Sequence, residues 1–251
     1  MGALHEGHLS LIRKARKEND RVVVSLFVNP IQFDQKKDLR SYPRTDRQDA
    51  RLAAGAGADL LFAPSPSAIY PPGFQTFVEI ARLSRPLEGR FRPGHFRGVA
   101  TVVTKLFNLV QPDCAYFGQK DAQQARIVQQ LIQDLNFPTR LRILPTIRER
   151  DGLAMSSRNR RLSTEARRSS RALFVALQEA RRLIQSNVRR SDLVGRRIRQ
   201  MIRQQPGTRI DYVAIVDPET LQPVRRIRKS AWILLAVWVG GVRLIDGCVV
   251  S

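Results

Sequence analysis

The 251-residue chain holds only two cysteines, Cys114 and Cys248. That is too few for a disulfide framework and suits a reducing cytosol. No stretch approaches the roughly 20 apolar residues of a membrane-spanning helix. The longest apolar run, Ala231 to Val239, is strand-sized and rich in β-branched and aromatic side chains. No basic-then-apolar leader opens the chain, which argues against secretion. Gly2 raises N-myristoylation, but Glu6 stands where that signal wants Ser or Thr. Metal-binding residue types are sparse: one histidine pair, His95 and two scattered cysteines, too little for a zinc site. Acidic residues are also scarce, 22 against 43 basic ones, for a net charge of +21. Such a chain attracts anions, nucleic acid among them. Yet the arginines are spread throughout, and the densest group, Arg181 to Arg197, has no aromatics interleaved for stacking on bases. The excess therefore reads as a solvated face or a compositional bias. Specific nucleic-acid binding is not expected, while small anionic substrates benefit either way.

With 43% hydrophobic residues, the length allows one large or two modest domains, each with a core. Residues 1–146 alternate helix and strand. Helical patterns cover Leu9–Lys17, Asp46–Ala54, Gly98–Val110 and Asp121–Leu135. Strand patterns cover Arg21–Val28, Asp59–Phe62, Asp113–Phe117 and Arg140–Leu144. The continuous apolar run in Arg21–Val28 suggests a strand buried on both faces. Alternation of this kind implies βαβ units and a parallel sheet, with ligands at the carboxyl ends of the strands. The loops Asn29–Phe33 and Gly118–Asp121 fall at such ends. Residues 147–251 read differently. A loop, Asp151–Asn159, leads into helices over Ser163–Ser186 and Ser191–Arg203. Strands follow at Ile210–Val216, Ala231–Val239 and Val242–Ile245, with Gly240-Gly241 as a hairpin turn. This is a smaller α+β domain with an antiparallel sheet.

The segment Met1-Gly2-Ala3-Leu4-His5-Glu6-Gly7-His8 places two imidazoles three residues apart at the mouth of an apolar helix. A glycine lets backbone approach a phosphate, and a helix N-terminus offers unpaired N–H groups. Two imidazoles on one side can hydrogen-bond polyphosphate oxygens. Taken alone, such a pair is more often solvated or structural. Phe27-Val28-Asn29-Pro30-Ile31-Gln32-Phe33 puts two amides beside a strand end. Gly118-Gln119-Lys120-Asp121-Ala122-Gln123-Gln124 opens a helix with a cation, a carboxylate and two more amides. Gly152-Leu153-Ala154-Met155-Ser156-Ser157-Arg158-Asn159 offers hydroxyls and a guanidinium suited to phosphate. Arg92 and His95 add another cation and imidazole. Each cluster has an ordinary structural explanation, but all fall at expected strand ends or at the domain junction.

These segments carry a family resemblance. MGALHEGH, FVNPIQF, YPRT, GHFRGVATVV, YFGQKDAQQ and DGLAMSSRNRRL run in the order and spacing of the pantoate–β-alanine ligases, the pantothenate synthetases. The resemblance implies a Rossmann-like nucleotidyltransferase domain, residues 1–146, binding ATP and pantoate, followed by an α+β lid domain, residues 147–251. It implies ligation of pantoate and β-alanine through a pantoyl adenylate, releasing AMP and pyrophosphate. His5, His8, Lys120, Ser156 and Arg158 match the positions that act on the phosphates. Met1, His8, Gly118, Lys120, Asp121, Ile147, Met155, Ser156, Ser157 and Arg158 match ATP-binding positions. Gln32, Gln124, Asn29 and Met1 match the pantoate pocket. Mg²⁺ is implied with ATP, held by the phosphates, with Asp49 or Asp46 as the protein's candidates to assist it. The family also implies a cytoplasmic homodimer, and some members are fused to a cytidylate kinase. The match departs at its start: relatives carry roughly 30–40 residues before this methionine, including the first strand of a full βαβ opening. The expected parallel sheet thus lacks its first central strand. A nucleotidyltransferase with another acceptor and a truncated, inactive relative are the competing readings.

Overall fold

The computed structural model describes residues 1–33, 39–40 and 42–251. The chain divides into two compact units, one of residues 1–119 and 123–145, the other of 120–122 and 146–251.

In the first unit, helix α1 (Glu6–Glu18) begins at His5, whose extended backbone ends the loop, and buries Leu11, Ile12 and Ala15. Strand β1 (Val23–Ser25) pairs in parallel with β2 (Leu60–Phe62). Helix α2 (Asp46–Gly55) lies between them in the chain. Short helices α3 (Pro66–Ile69) and α4 (Glu88–Phe91) precede α5 (His95–Val110). A second parallel pair joins β3 (Cys114–Gly118) to β4 (Arg140–Leu144) across helix α6 (Ala122–Asp134). The parallel strands and intervening helices are the α/β architecture the alternating pattern predicts. The core around β1 is built from Leu4, Ile12, Ala15, Val22, Val24, Ala53 and Ala56. The Tyr116 hydroxyl ties α1 to β3, donating to Glu18 and accepting from the Asn19 amide, each at 2.8 Å.

One expectation fails here. The Arg21–Val28 run is not a strand buried on both faces: ladder pairing covers only Val23–Ser25. Val22, Val24 and Leu26 are buried, whereas Val23 between them is 40% exposed. Alternate residues point to opposite faces, and only the face turned toward α1 and α2 is packed.

The second unit starts with a tight turn over residues 147–155, in which Met155 N–H donates to Ile147 O at 3.0 Å. A short 3-10 turn, Ser157–Arg161, follows. Helix α7 (Thr164–Gln185) is capped by Ser163, whose hydroxyl accepts from Ala166 N–H at 3.2 Å. Helix α8 (Ser191–Arg203) packs beside it. Strands β5 (Thr208–Val216), β6 (Ala231–Val239) and β7 (Val242–Val250) form an antiparallel sheet in that order. Gly240 and Gly241 both adopt positive φ, 54° and 80°, as a tight hairpin requires. Ile233, Leu235 and Val237 of β6 join Leu173 and Leu177 of α7 and Ile198 and Ile202 of α8 in one core. Strand β7 runs past Ile245 because Asp246, which looked like a strand end, is buried and paired with Arg148. No helix among the described residues is long and apolar enough to cross a membrane.

Candidate active site

In the first unit the histidine loop is held closely. A Cβ on Gly2 would lie 3.0 Å from Val28 Cγ2. Ala3 adopts φ of 50°, and Ala3 N–H and Leu4 N–H donate to the two carboxyl oxygens of Asp49 at 2.8 and 2.7 Å. Met1 bonds the β1 segment: its nitrogen donates to Ser25 O at 2.8 Å and its carbonyl accepts from Phe27 N–H at 2.9 Å. The His5 and His8 rings then lie 4.0 Å apart between centroids. His5 N–H points at His8 Nδ1 at 3.4 Å. In the neutral ring, an accepting Nδ1 leaves the proton on Nε2, so that nitrogen is a donor.

The amide turn after β1 is built just as deliberately. Asn29 is buried; its amide nitrogen donates to Gln32 Oε1 at 3.2 Å and to Gly98 O at 3.0 Å. Its oxygen accepts from the Tyr70 hydroxyl at 2.8 Å. Burial pushes the Tyr70 hydroxyl pKa up, so it stays protonated and donating. Asn29 is thus occupied in holding Gln32, whose oxygen is taken and whose NH₂ remains a donor. Gly98 allows this: a Cβ there would meet Ile31 O at 2.6 Å. His95, also buried, lies with Nδ1 2.8 Å from Gln32 O. So His95, the further imidazole the sequence had offered, supports the turn. Of the two α6 amides, Gln123 is buried and bonds Glu88 N–H, Leu83 O and Pro86 O. The Gln124 side chain makes no hydrogen bond among the described residues. At Gly118, the end of β3, an added Cβ would meet nothing within 4 Å.

In the second unit, Lys120 sits in the 3-10 turn Gln119–Asp121 with its ammonium 3.8 Å from the Asp121 carboxylate. Ile147, Met155, Ser156, Ser157 and Arg158 belong to one braced loop. Arg148 reaches Asp246 with two bonds of 2.7 and 2.9 Å, donates to Gly152 O at 2.9 Å and lies 4.7 Å over the Phe174 ring. Arg167 pairs with Glu149 and Asp151 at 2.5 and 2.9 Å, and these carboxylates push its guanidinium pKa up. Asn159 bonds Ala154 O at 3.0 Å. Ser156 caps the turn, accepting from Arg158 N–H at 3.3 Å. The residues that brace these three loops, Tyr70, Asp49, Arg148 and Asp246, were not given these roles by the sequence. Their partners lie tens of residues away, beyond the reach of any local pattern.

Among the described residues no group of three or more His, Cys, Asp or Glu is placed to hold a metal ion. Asp46 is exposed, and both oxygens of Asp49 are already engaged by backbone N–H groups.

A family model described as pantoate-beta-alanine ligase matches residues 1–249. A pantothenate synthetase of Moorella thermoacetica is 52% identical over 251 residues, covering 100% of this chain and 89% of the relative. One from Thermotoga neapolitana is 50% identical, covering 100% and 90%. Among solved structures, a pantothenate synthetase of Thermus thermophilus has a TM-score of 0.95 at 46% identity, covering 99% of this chain and 90% of that one. A pantoate-beta-alanine ligase of Francisella tularensis, complexed with beta-gamma ATP and beta-alanine, gives 0.81 at 36% identity, covering 99% and 86%.

Proposed function

This chain belongs to the pantoate–β-alanine ligase family, and we propose from the geometry of each unit how its residues carry that reaction. It is an ATP-dependent ligase joining pantoate to β-alanine. The observation that carries this is the match over residues 1–249. The reaction has two steps. A pantoate carboxylate oxygen attacks the α-phosphorus of ATP and pyrophosphate leaves. The β-alanine amine then attacks the acyl carbon of the adenylate, AMP leaves, and the amine loses a proton.

A carboxylate is already ionised at neutral pH, so the first step needs no general base. It needs two anions aligned and the growing phosphate charge neutralised. His5 and His8 supply imidazole donors, and Lys120 and Arg158 supply fixed charge. Ser156 and Ser157, on the braced loop, supply hydroxyls beside the Met155 and Ile147 backbone. Asp121 takes the ribose hydroxyls, and the open space at Gly118 leaves room for the sugar to approach the backbone. Gln32 and Gln124 hold pantoate, with Asn29 acting through Gln32 and Met1 lining the pocket. Mg²⁺ would come with the nucleotide and offset the charge of its phosphates. The family reading supports a cytoplasmic homodimer.

The test is release of AMP and pyrophosphate from ATP that depends on both pantoate and β-alanine. Release with some other acid and none with pantoate would count against this acceptor. No ATP binding at all would point to an inactive relative.

A further inference from the structure

We propose that Asp49 is a positioning residue of the ligation: its buried carboxylate sets the backbone that presents His5 and His8. This rests on the reading of those histidines given above. Asp49 lies on α2 and is only 1% exposed. Burying a carboxylate is costly unless its oxygens are hydrogen-bonded. Here Oδ1 accepts from Leu4 N–H at 2.7 Å and from the Thr45 hydroxyl at 3.1 Å, and Oδ2 accepts from Ala3 N–H at 2.8 Å.

The form of the bonded loop is as telling as the bonds. Ala3 takes φ of 50°, the left-handed region that disfavours a residue with a Cβ. That turn brings two successive backbone N–H groups round to one side, the concavity known to hold anions. In this chain the anion is supplied from within, 45 and 46 residues along the sequence. The next residue is His5, the N-cap of α1, whose N–H is directed at His8 Nδ1. Orientation therefore passes from Asp49 to the Ala3–Leu4 backbone, from there to the His5 N–H, and from it to the His8 ring. A carboxylate with both oxygens engaged in this way is placed to shape the loop.

Asp49→Asn keeps the shape but removes one acceptor and turns an NH₂ toward a backbone N–H. The expected result is a loss on the order of 10²-fold in kcat for pantoate-dependent adenylate formation, as slight misplacement of reacting groups produces. The KM for β-alanine should be unchanged. Ring ¹⁵N spectra should show the His8 Nδ1 resonance moved along with the Ala3 and Leu4 amides. Thr45→Val, which only loosens the carboxylate, should move the same resonances less and cost less kcat, and it serves if the Asn variant does not fold. Lost kcat with unmoved imidazole resonances, or unmoved kcat, overturns the proposal. A wild-type chain without turnover would sink the ligation reading instead, and the imidazole resonances would still decide the clamp.

Discussion

Lys120 is only 18% exposed at its side chain, and its ammonium lies 3.8 Å from the Asp121 carboxylate. A fixed charge in this setting is of most use where phosphate charge develops. Removing such a contact typically costs ~2.7–4 kcal/mol, or about 10²–10³ in rate. Lys120→Ala should lose that much in adenylate formation, and a variant with near-normal turnover would remove Lys120 from the reaction. Gln124 has a different expected signature. Its amide is unspent, so Gln124→Ala should raise the KM for pantoate more than that for ATP; equal losses would contradict its assignment. Tyr70 tests the support of the pocket. Tyr70→Phe leaves the buried Asn29 oxygen without its donor, at a cost of ~1–3 kcal/mol. Asn29 then holds Gln32 less firmly, through its amide nitrogen alone, and pantoate should bind more weakly while ATP does not.

At the scale of elements, the loop over residues 147–158 is stiff because it is tied to β7. The Arg148–Asp246 pair is nearly solvent-free on the Asp246 side, 1% exposed. Breaking a buried pair by removing one partner costs about 3–5 kcal/mol, since the other charge is left unpaired. Asp246→Ala should lower the urea midpoint accordingly and loosen the loop's grip on ATP; an unchanged midpoint would mean that the pair braces nothing. Helices α7 and α8 are joined in another way. Glu179 lies between Arg182 and Arg197, which hold its carboxyl at about 2. A lowered carboxylate pKa contributes stability above its ordinary value of 4.5, lost as pH falls toward about 2. Because both arginines are exposed the effect is small. Acid melts of Glu179→Gln should start from slightly lower stability at neutral pH and show a shallower fall across that window. The elements themselves were legible where periodicity was strong. Helix α8 and strands β4 and β6 match their sequence patterns to the residue. Strand β1 did not, because apolar residues at nearly every position of the run carry no information about which face is covered.

For the whole molecule, the +21 charge is a field property and not a site. Many of the arginines it counts are committed locally, as Arg148, Arg167, Arg182 and Arg190 are. Binding to duplex DNA should therefore be weak and fall steeply with salt, vanishing near about 0.15 M, where the Debye length is ~8 Å. A titration showing sequence-dependent binding that survives that ionic strength would reopen the nucleic-acid reading. Along the sequence, strand–helix alternation gives way near residue 146 to helices followed by strands. The structure divides into two compact units, the second of which also takes the short segment 120–122.

Sequence alone determined the chemistry on offer: the imidazole pair, the amide turn, the lysine and the serine–arginine loop are contiguous motifs whose residue types and spacing speak for themselves. It also set the α/β and antiparallel halves, since hydrophobic periodicity is a local property. The tertiary structure decided which polar groups are spent on support. Asn29, Gln123, His95 and Asp49 look like their functional neighbours in the sequence. Only the distant partners that saturate them, Tyr70, Glu88, Gln32 and the Ala3–Leu4 backbone, tell them apart. A hydrogen bond between residues far apart along the chain leaves no mark on either one's local pattern, whereas an unsatisfied buried group is too costly to be left to chance.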